Sequence, residues 1–333
     1  MIRSDKRYTA RTQKIYDYSR FSSDLSVTLD DLRGGLDGLD LFQALLGPVF
    51  LSPSFRTLLD DIADHWVLCF EHLPDGDYAI DVEEQIVWVD TSGMTPNAIM
   101  QSIYFSNTVR GNTIRAIREI WHAQKAHGTK GVSESLSIDS RIKAERIKAA
   151  DVECFTLLCA YETQSYNAPS ELWRHALGGD CGDMAIVFSR TLERTMNAHN
   201  RPDLAMQEAF KQWYADVQRV DSCDHRTLEE LDQMLLEAQE QGRHNKYNVV
   251  LKASEICMMT QRGNGHGSYL GDLNIRLLRD PAYADIHDSI NQAHLMHIMH
   301  DLEVTRVANV PFRSAELAKK IFPTNYETVP VDV

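Results

Sequence analysis

The chain is predicted to be mainly α-helical with one small β-hairpin, an α+β arrangement, on three observations. From Pro96 onward, apolar residues recur at helical spacing through segment after segment. A convincing strand pattern occurs only between Tyr78 and Val89. Of 333 residues, 43% are hydrophobic and 25% charged, the balance of a globular chain able to bury a core.

Residues 1–50 form a mixed entry segment. Thr28-Leu-Asp-Asp-Leu offers a helix start, and Gly34, Gly35 and Gly38 interrupt the chain ahead of the apolar stretch Leu39–Leu46. Pro53 and Ser54 open a helix with Phe55, Leu58, Leu59, Ile62 and Trp66 at helical spacing. A turn at Pro74-Asp-Gly-Asp precedes the hairpin, in which Tyr78-Ala-Ile-Asp-Val and Gln85-Ile-Val-Trp-Val join around Glu83-Glu84. Helices are expected near 96–109, 113–127, 138–165, 181–198, 202–216 and Ser222–Gln241. After the polar stretch Glu237–Asn245 comes the loop Arg262-Gly-Asn-Gly-His-Gly, then a helix over Tyr283–Val307 and a trailing segment Pro323–Val333. The expected division is 1–50, 51–236 and 237–333.

Charge and composition exclude several function classes. The net charge is −14, which repels phosphate backbones, so no nucleic-acid partner is expected; the basic stretch Arg3–Arg20 is a local exception and reads as a solvated arm. No apolar run approaches the ~20 residues that cross a bilayer, so no membrane partner is expected either. The first twenty residues carry six bases, two acids and no apolar core, unlike a secretory signal, which makes a cytoplasmic location the expectation. The six cysteines contain no C-x-x-C pair and read as buried thiols rather than disulfides or a zinc knuckle.

The chemistry concentrates on the helix Thr113–His127. Ile114, Ile117, Ile120 and Trp121 form its buried stripe, flanked by a strip carrying Arg115, Arg118, Glu119, His122 and Lys125. Arg118-Glu119-Ile120-Trp121-His122 has the layout of H-E-x-x-H, with Arg118 in the place of the first histidine. Two histidines one turn apart can bind one Zn²⁺, and the glutamate activates the metal-bound water. Glu119 therefore holds the general-base position and His122 the second ligand position. Arg118 cannot serve, because its guanidinium stays protonated and has no lone pair to donate. The plain alternative is a solvated, salt-bridged face, with Arg115 and Glu119 paired at i, i+4.

On the next helix Ile147, Ala150, Cys154, Leu157, Leu158 and Tyr161 share a face, and Asp151 projects into that apolar arc. A buried carboxylate needs a partner. It could bond an arginine or a helix end, or it could orient a histidine on the neighbouring helix.

The order of hairpin, H-E-x-x-H-like helix and Arg-…-Ala-Asp helix resembles zinc metallopeptidases of the gluzincin kind. It also looks like an uncharacterised proteobacterial family described as a putative metallopeptidase domain. The blocks carrying the resemblance are Arg118-Glu119-Ile120-Trp121-His122-Ala123-Gln124, then Arg146-Ile147-Lys148-Ala149-Ala150-Asp151, then Ala209-Phe210-Lys211-Gln212-Trp213-Tyr214 with Arg219 and Cys223-Asp224. They cover roughly 51–235 and imply a metallopeptidase-like helical core in a bacterial protein, zinc being the family's metal. The resemblance also implies a third ligand, a glutamate, at the positions that Ile147 and Ala149 fill here. With the first and third ligand positions changed, no cofactor is expected. His122 is then a vestigial ligand, Glu119 a vestigial base and Asp151 an outer carboxylate.

His294-Leu-Met-His297-Ile-Met-His300-Asp301 is the densest histidine cluster, but its three rings cannot share one helical face. The Gly263-Asn-Gly-His-Gly loop lacks the ending of a phosphate-binding loop. The leading expectation is a catalytically inert metallopeptidase-like protein acting by binding a protein or peptide partner. The alternatives are a metal-dependent hydrolase that recruits His122, Asp151 and another histidine, and a purely structural helical protein.

Overall fold

The turn at Glu83 and Glu84 folds Tyr78–Asp81 back onto Ile86–Asp90 with Tyr78 opposite Val89, so the predicted hairpin forms. The computed structural model describes residues 6–9, 15–17, 25–63, 65–73, 77–128, 136–164, 169–195, 201–240, 247–263 and 265–308. Much of the basic stretch 3–20, residues 74–76 of the expected turn, 241–245 of the polar stretch, Asn264 and the segment 323–333 lie outside the described residues.

The hairpin belongs to a larger sheet than expected. Its strands are β1 (Lys6–Thr9), β2 (Ile15–Asp17), β3 (Ser26–Thr28), β4 (Val67–Glu71), β5 (Tyr78–Asp81) and β6 (Ile86–Asp90), in the order β2-β1-β5-β6-β4-β3. β4 and β6 pair in parallel and the other neighbours are antiparallel. The helix expected from Pro53 through Trp66 is corrected accordingly: it ends at Asp61, and Trp66 leads into β4. Val67-Leu68-Cys69-Phe70 is an unbroken apolar run, the signature of a strand buried on both faces, and periodicity alone does not separate such a run from a helix.

The helices are α1 (Leu29–Arg33), α2 (Asp40–Leu46), α3 (Pro53–Asp61), α4 (Pro96–Gln101), α5 (Ile103–Gly128), α6 (Ile138–Glu162) and α7 (Glu171–Gly178). They continue with α8 (Gly182–Arg194), α9 (Arg201–Ala215), α10 (Val217–Glu240), α11 (Ala253–Met259), α12 (Leu273–Arg279), α13 (Pro281–Ala284) and α14 (Ser289–Ala308). No helix among the described residues is long and apolar enough to cross a membrane.

Several boundaries move. The break expected between 109 and 113 is absent, and α5 runs unbroken through Gly111. A glycine costs a helix interior about 1 kcal/mol, which packing routinely overrides; here the hydroxyl of Thr113 donates back to the Val109 carbonyl and Arg115 donates to Asn112 Oδ1. The interruption falls instead at Ser102, the C-cap of α4. α7 was not expected, although Ser170 caps it through the Trp173 amide and Gly178-Gly179 ends it. The helix expected from Tyr283 begins at Ser289, after the short turn α13.

One principal core joins sheet and helices, with Leu68, Val87 and Val89 from the sheet beside Ile114, Ile117, Ile120 and Trp121 from α5. α6 runs through its centre, packed by α3, α5, α7, α9, α10 and α11. Its buried residues fall on all sides, the pattern of an enclosed helix, so any charge it carries must find a partner inside the protein. A smaller cluster of Ile138, Ile142, Leu228, Leu231 and Ile298 seats α14 against α6 and α10.

Candidate functional site

Arg118 and His122 lie one turn apart on α5 and both reach Asp151 on α6. Arg118 Nε donates to Asp151 Oδ2 at 2.7 Å, and His122 Nε2 lies 2.9 Å from the same oxygen. The Tyr269 hydroxyl donates to Asp151 Oδ1 at 2.9 Å. Arg118 Nη2 also donates to the Gln261 carbonyl at 2.5 Å, so the segment after α11 covers the cluster. The guanidinium carbon sits 4.2 Å from the Trp121 ring centroid and 4.6 Å from that of Phe155, one aromatic contact from each helix. Arg118 and Asp151 are both 0% exposed and His122 3%, so the solvated-face reading of this strip does not hold for these residues.

Burial pushes the Asp151 carboxyl up, but the Arg118 charge and the His122 bond outweigh it and hold the group below its ordinary value. It is therefore an anion that accepts three bonds. Burial lowers the His122 pKa despite the pull of Asp151, so the ring is neutral with its proton on Nε2. Burial and then the Asp151 charge push the Tyr269 phenol well above its usual range, which keeps it a donor. One fixed cation, one anion and two neutral rings leave the cluster without net charge.

Asp151 thus has both kinds of partner that its burial calls for, an arginine and a histidine, on the neighbouring helix. Arg115 pairs not with Glu119 but across to Glu153 on α6, Nη2 to Oε2 at 3.0 Å. Glu119 faces elsewhere. It lines a crevice of about 50 Å³ with Glu145, Lys148 and Ala149 of α6 and Cys223 and Arg226 of α10. No hydrogen bond joins Glu119 to His122 or Asp151 among the described residues. Burial raises its carboxyl to about 7.

A pH dependence follows. The folded chain holds a proton on Glu119 that the unfolded chain, with an ordinary value of 4.5, has already released. Its contribution to stability is complete below pH 4.5 and is lost as pH rises through about 7. Glu119→Gln is expected to flatten the fall of the urea midpoint across that window. An unchanged slope in the variant would show that Glu119 titrates normally.

The residues present do not fit a catalytic zinc centre. Such a centre needs about three protein ligands and an open position. Position 118 supplies a buried guanidinium paired with Asp151. Of the two positions implied for the third ligand, Ile147 is packed in the core and Ala149 lines the crevice, and neither offers a donor. Among the described residues, no group of three or more His, Cys, Asp or Glu is arranged to hold a metal ion. The histidines of α14 do not complete the set: His294 lies 3.7 Å from Asp232, and His297 lies 3.6 Å from Asp301. All six cysteines are free, and burial pushes the Cys154 thiol far up and that of Cys223 to about 12, which removes both as nucleophiles.

Sequence reasoning missed Tyr269 and the Gln261 carbonyl. They lie more than a hundred residues from Asp151 and Arg118, and no local pattern marks a tyrosine whose hydroxyl reaches a buried carboxylate. No curated protein and no solved structure matches the chain. Residues 103–261, from the start of α5 to the carbonyl that caps Arg118, match the family described as "Putative metallopeptidase family (DUF6782)".

Proposed function

We propose that this chain is a metallopeptidase relative that has left hydrolysis and acts by binding a protein or peptide partner in the bacterial cytoplasm. The observation that supports this is the Arg118–Asp151 ion pair at 0% exposure, in the place where the H-E-x-x-H layout puts a metal ligand. A dication there would sit beside a fixed positive charge, with a single carboxylate to offset both. Glu119 and His122 also serve different surroundings, whereas the hydrolytic mechanism needs base and ligand at one metal. A binding role uses the folded core without that chemistry. The net charge of −14 favours a protein or peptide over a nucleic acid as the partner.

Metal analysis of the purified chain tests the reading. No stoichiometric zinc is expected, and the melting curve should be indifferent to chelator and to added zinc. One equivalent of zinc that disappears in His122→Ala would overturn it.

A further inference from the structure

α5, α6 and α10 border a crevice that the Arg118–Asp151 cluster does not use. Its volume is about 50 Å³, and Glu119 of α5 opens into it opposite Glu145 and Lys148 of α6 and Arg226, Thr227 and Glu230 of α10. Three carboxylates therefore meet two cations. Lys148 Nζ is already held by Glu145 Oε1 at 2.7 Å. Among the described residues no hydrogen bond reaches Glu119, and burial raises its carboxyl to about 7, so a proton stands where a third cation is missing. Thr227 is 3% exposed, and its hydroxyl donates its one proton to the Cys223 carbonyl at 2.9 Å. That oxygen can then only accept.

We propose that this crevice receives the ammonium of a lysine side chain from the peptide partner, with Glu119 as its counter-ion and Thr227 as a second acceptor. An ammonium brings three donors and no acceptor on a thin methylene stem, which suits a lining whose open groups accept. The crevice has room for only a few water-sized groups. A guanidinium is planar and broader, with five donors in a fixed fork, and fits such a space less well. On entry the cation replaces the Glu119 proton, which is released to solvent. The net charge of −14 draws a cationic partner toward the chain.

This assignment rests on the reading that the chain binds a peptide. Its test titrates the full chain with the blocked tripeptide acetyl-Gly-Lys-Gly-amide at about pH 8, above the Glu119 value, and follows backbone amide signals by NMR. Saturable shifts are expected around Glu119, Lys148 and Thr227, with none from the same peptide acetylated on its lysine. Glu119→Gln, which copies the protonated carboxyl, should weaken binding about tenfold or more, the usual worth of a bond to a charged group. Thr227→Val removes the second acceptor with little change of shape and should also weaken it. No saturation with the lysine peptide, equal shifts from the acetylated one, or unchanged affinity in Glu119→Gln would overturn the proposal. So would tighter binding of butylammonium or of the arginine tripeptide, which would make the occupant a free amine or a guanidinium. Those outcomes leave the metal test of the earlier reading untouched, whereas zinc bound at His122 would overturn that reading without moving these shifts.

Discussion

Asp151→Asn is expected to cost the fold about 3–5 kcal/mol, the usual penalty for stranding a buried charge by removing its partner. Asp151 accepts from Arg118, His122 and Tyr269, and Arg118 at 0% exposure has no second anion within the cluster. The amide keeps the shape but loses the charge, and it presents a donor to groups that are themselves donors. The urea midpoint at neutral pH is the measurement. The control removes both charges at once, Arg118→Met with Asp151→Leu, and should lose less than Asp151→Asn alone because no ion is left uncompensated. A double variant that loses the full sum of its single changes would show the pair to be energetically uncoupled.

The second large effect is expected at Arg146→Ala. Arg146 Nε and Nη2 grip Asp224 of α10 at 2.5 and 2.6 Å, and the same guanidinium donates to the carbonyls of Tyr283 and Asp285 at 2.8 and 3.0 Å. One side chain therefore joins α6 to α10 and to the turn before α14. Truncation leaves Asp224, also 0% exposed, without its counter-ion and frees two carbonyls, a loss again of about 3–5 kcal/mol. Hydrogen exchange separates this effect from the first. Protection should fall around 281–292 in Arg146→Ala, and around 259–270 in Asp151→Asn. Uniform loss of protection in both variants would mean that the two ion pairs hold one indivisible unit.

The legible parts of this protein were those written in a single element. The short strand-forming runs Tyr78–Val82 and Gln85–Val89, joined around Glu83-Glu84, predict the hairpin, and the helical wheel of α6 places Asp151 among apolar neighbours, where it is indeed buried. β4 escaped because Trp66 continues the spacing of the preceding helix, and a short apolar run after it reads as more of the same helix. The start of α7 was marked only by Ser170 and its end by two glycines. At the site, Arg118 was legible as a misfit in a metal-binding layout. That its guanidinium would be sandwiched by Trp121 and Phe155 and tied to Asp151 was not, because those contacts join two helices. Tyr269 depends on how residues 260–270 cross the helical core, which is settled by tertiary packing rather than local pattern.

The enclosure of α6 also bears on how the chain is made. By the time a ribosome has emitted α6, it has delivered two charges, Arg146 and Asp151, whose complete sets of partners are not yet synthesised. Arg118 and His122 are already available to Asp151, but Tyr269 is not, and Arg146 must wait for Asp224 and then for the carbonyls of Tyr283 and Asp285. At about 5–20 residues per second, that interval lasts roughly 6 to 25 seconds. Through that interval the nascent core holds polar groups that it can only keep hydrated. Closure of the helical core around α6 is therefore a late event in translation, and a chain released before residue 285 would lack the groups needed to seal it.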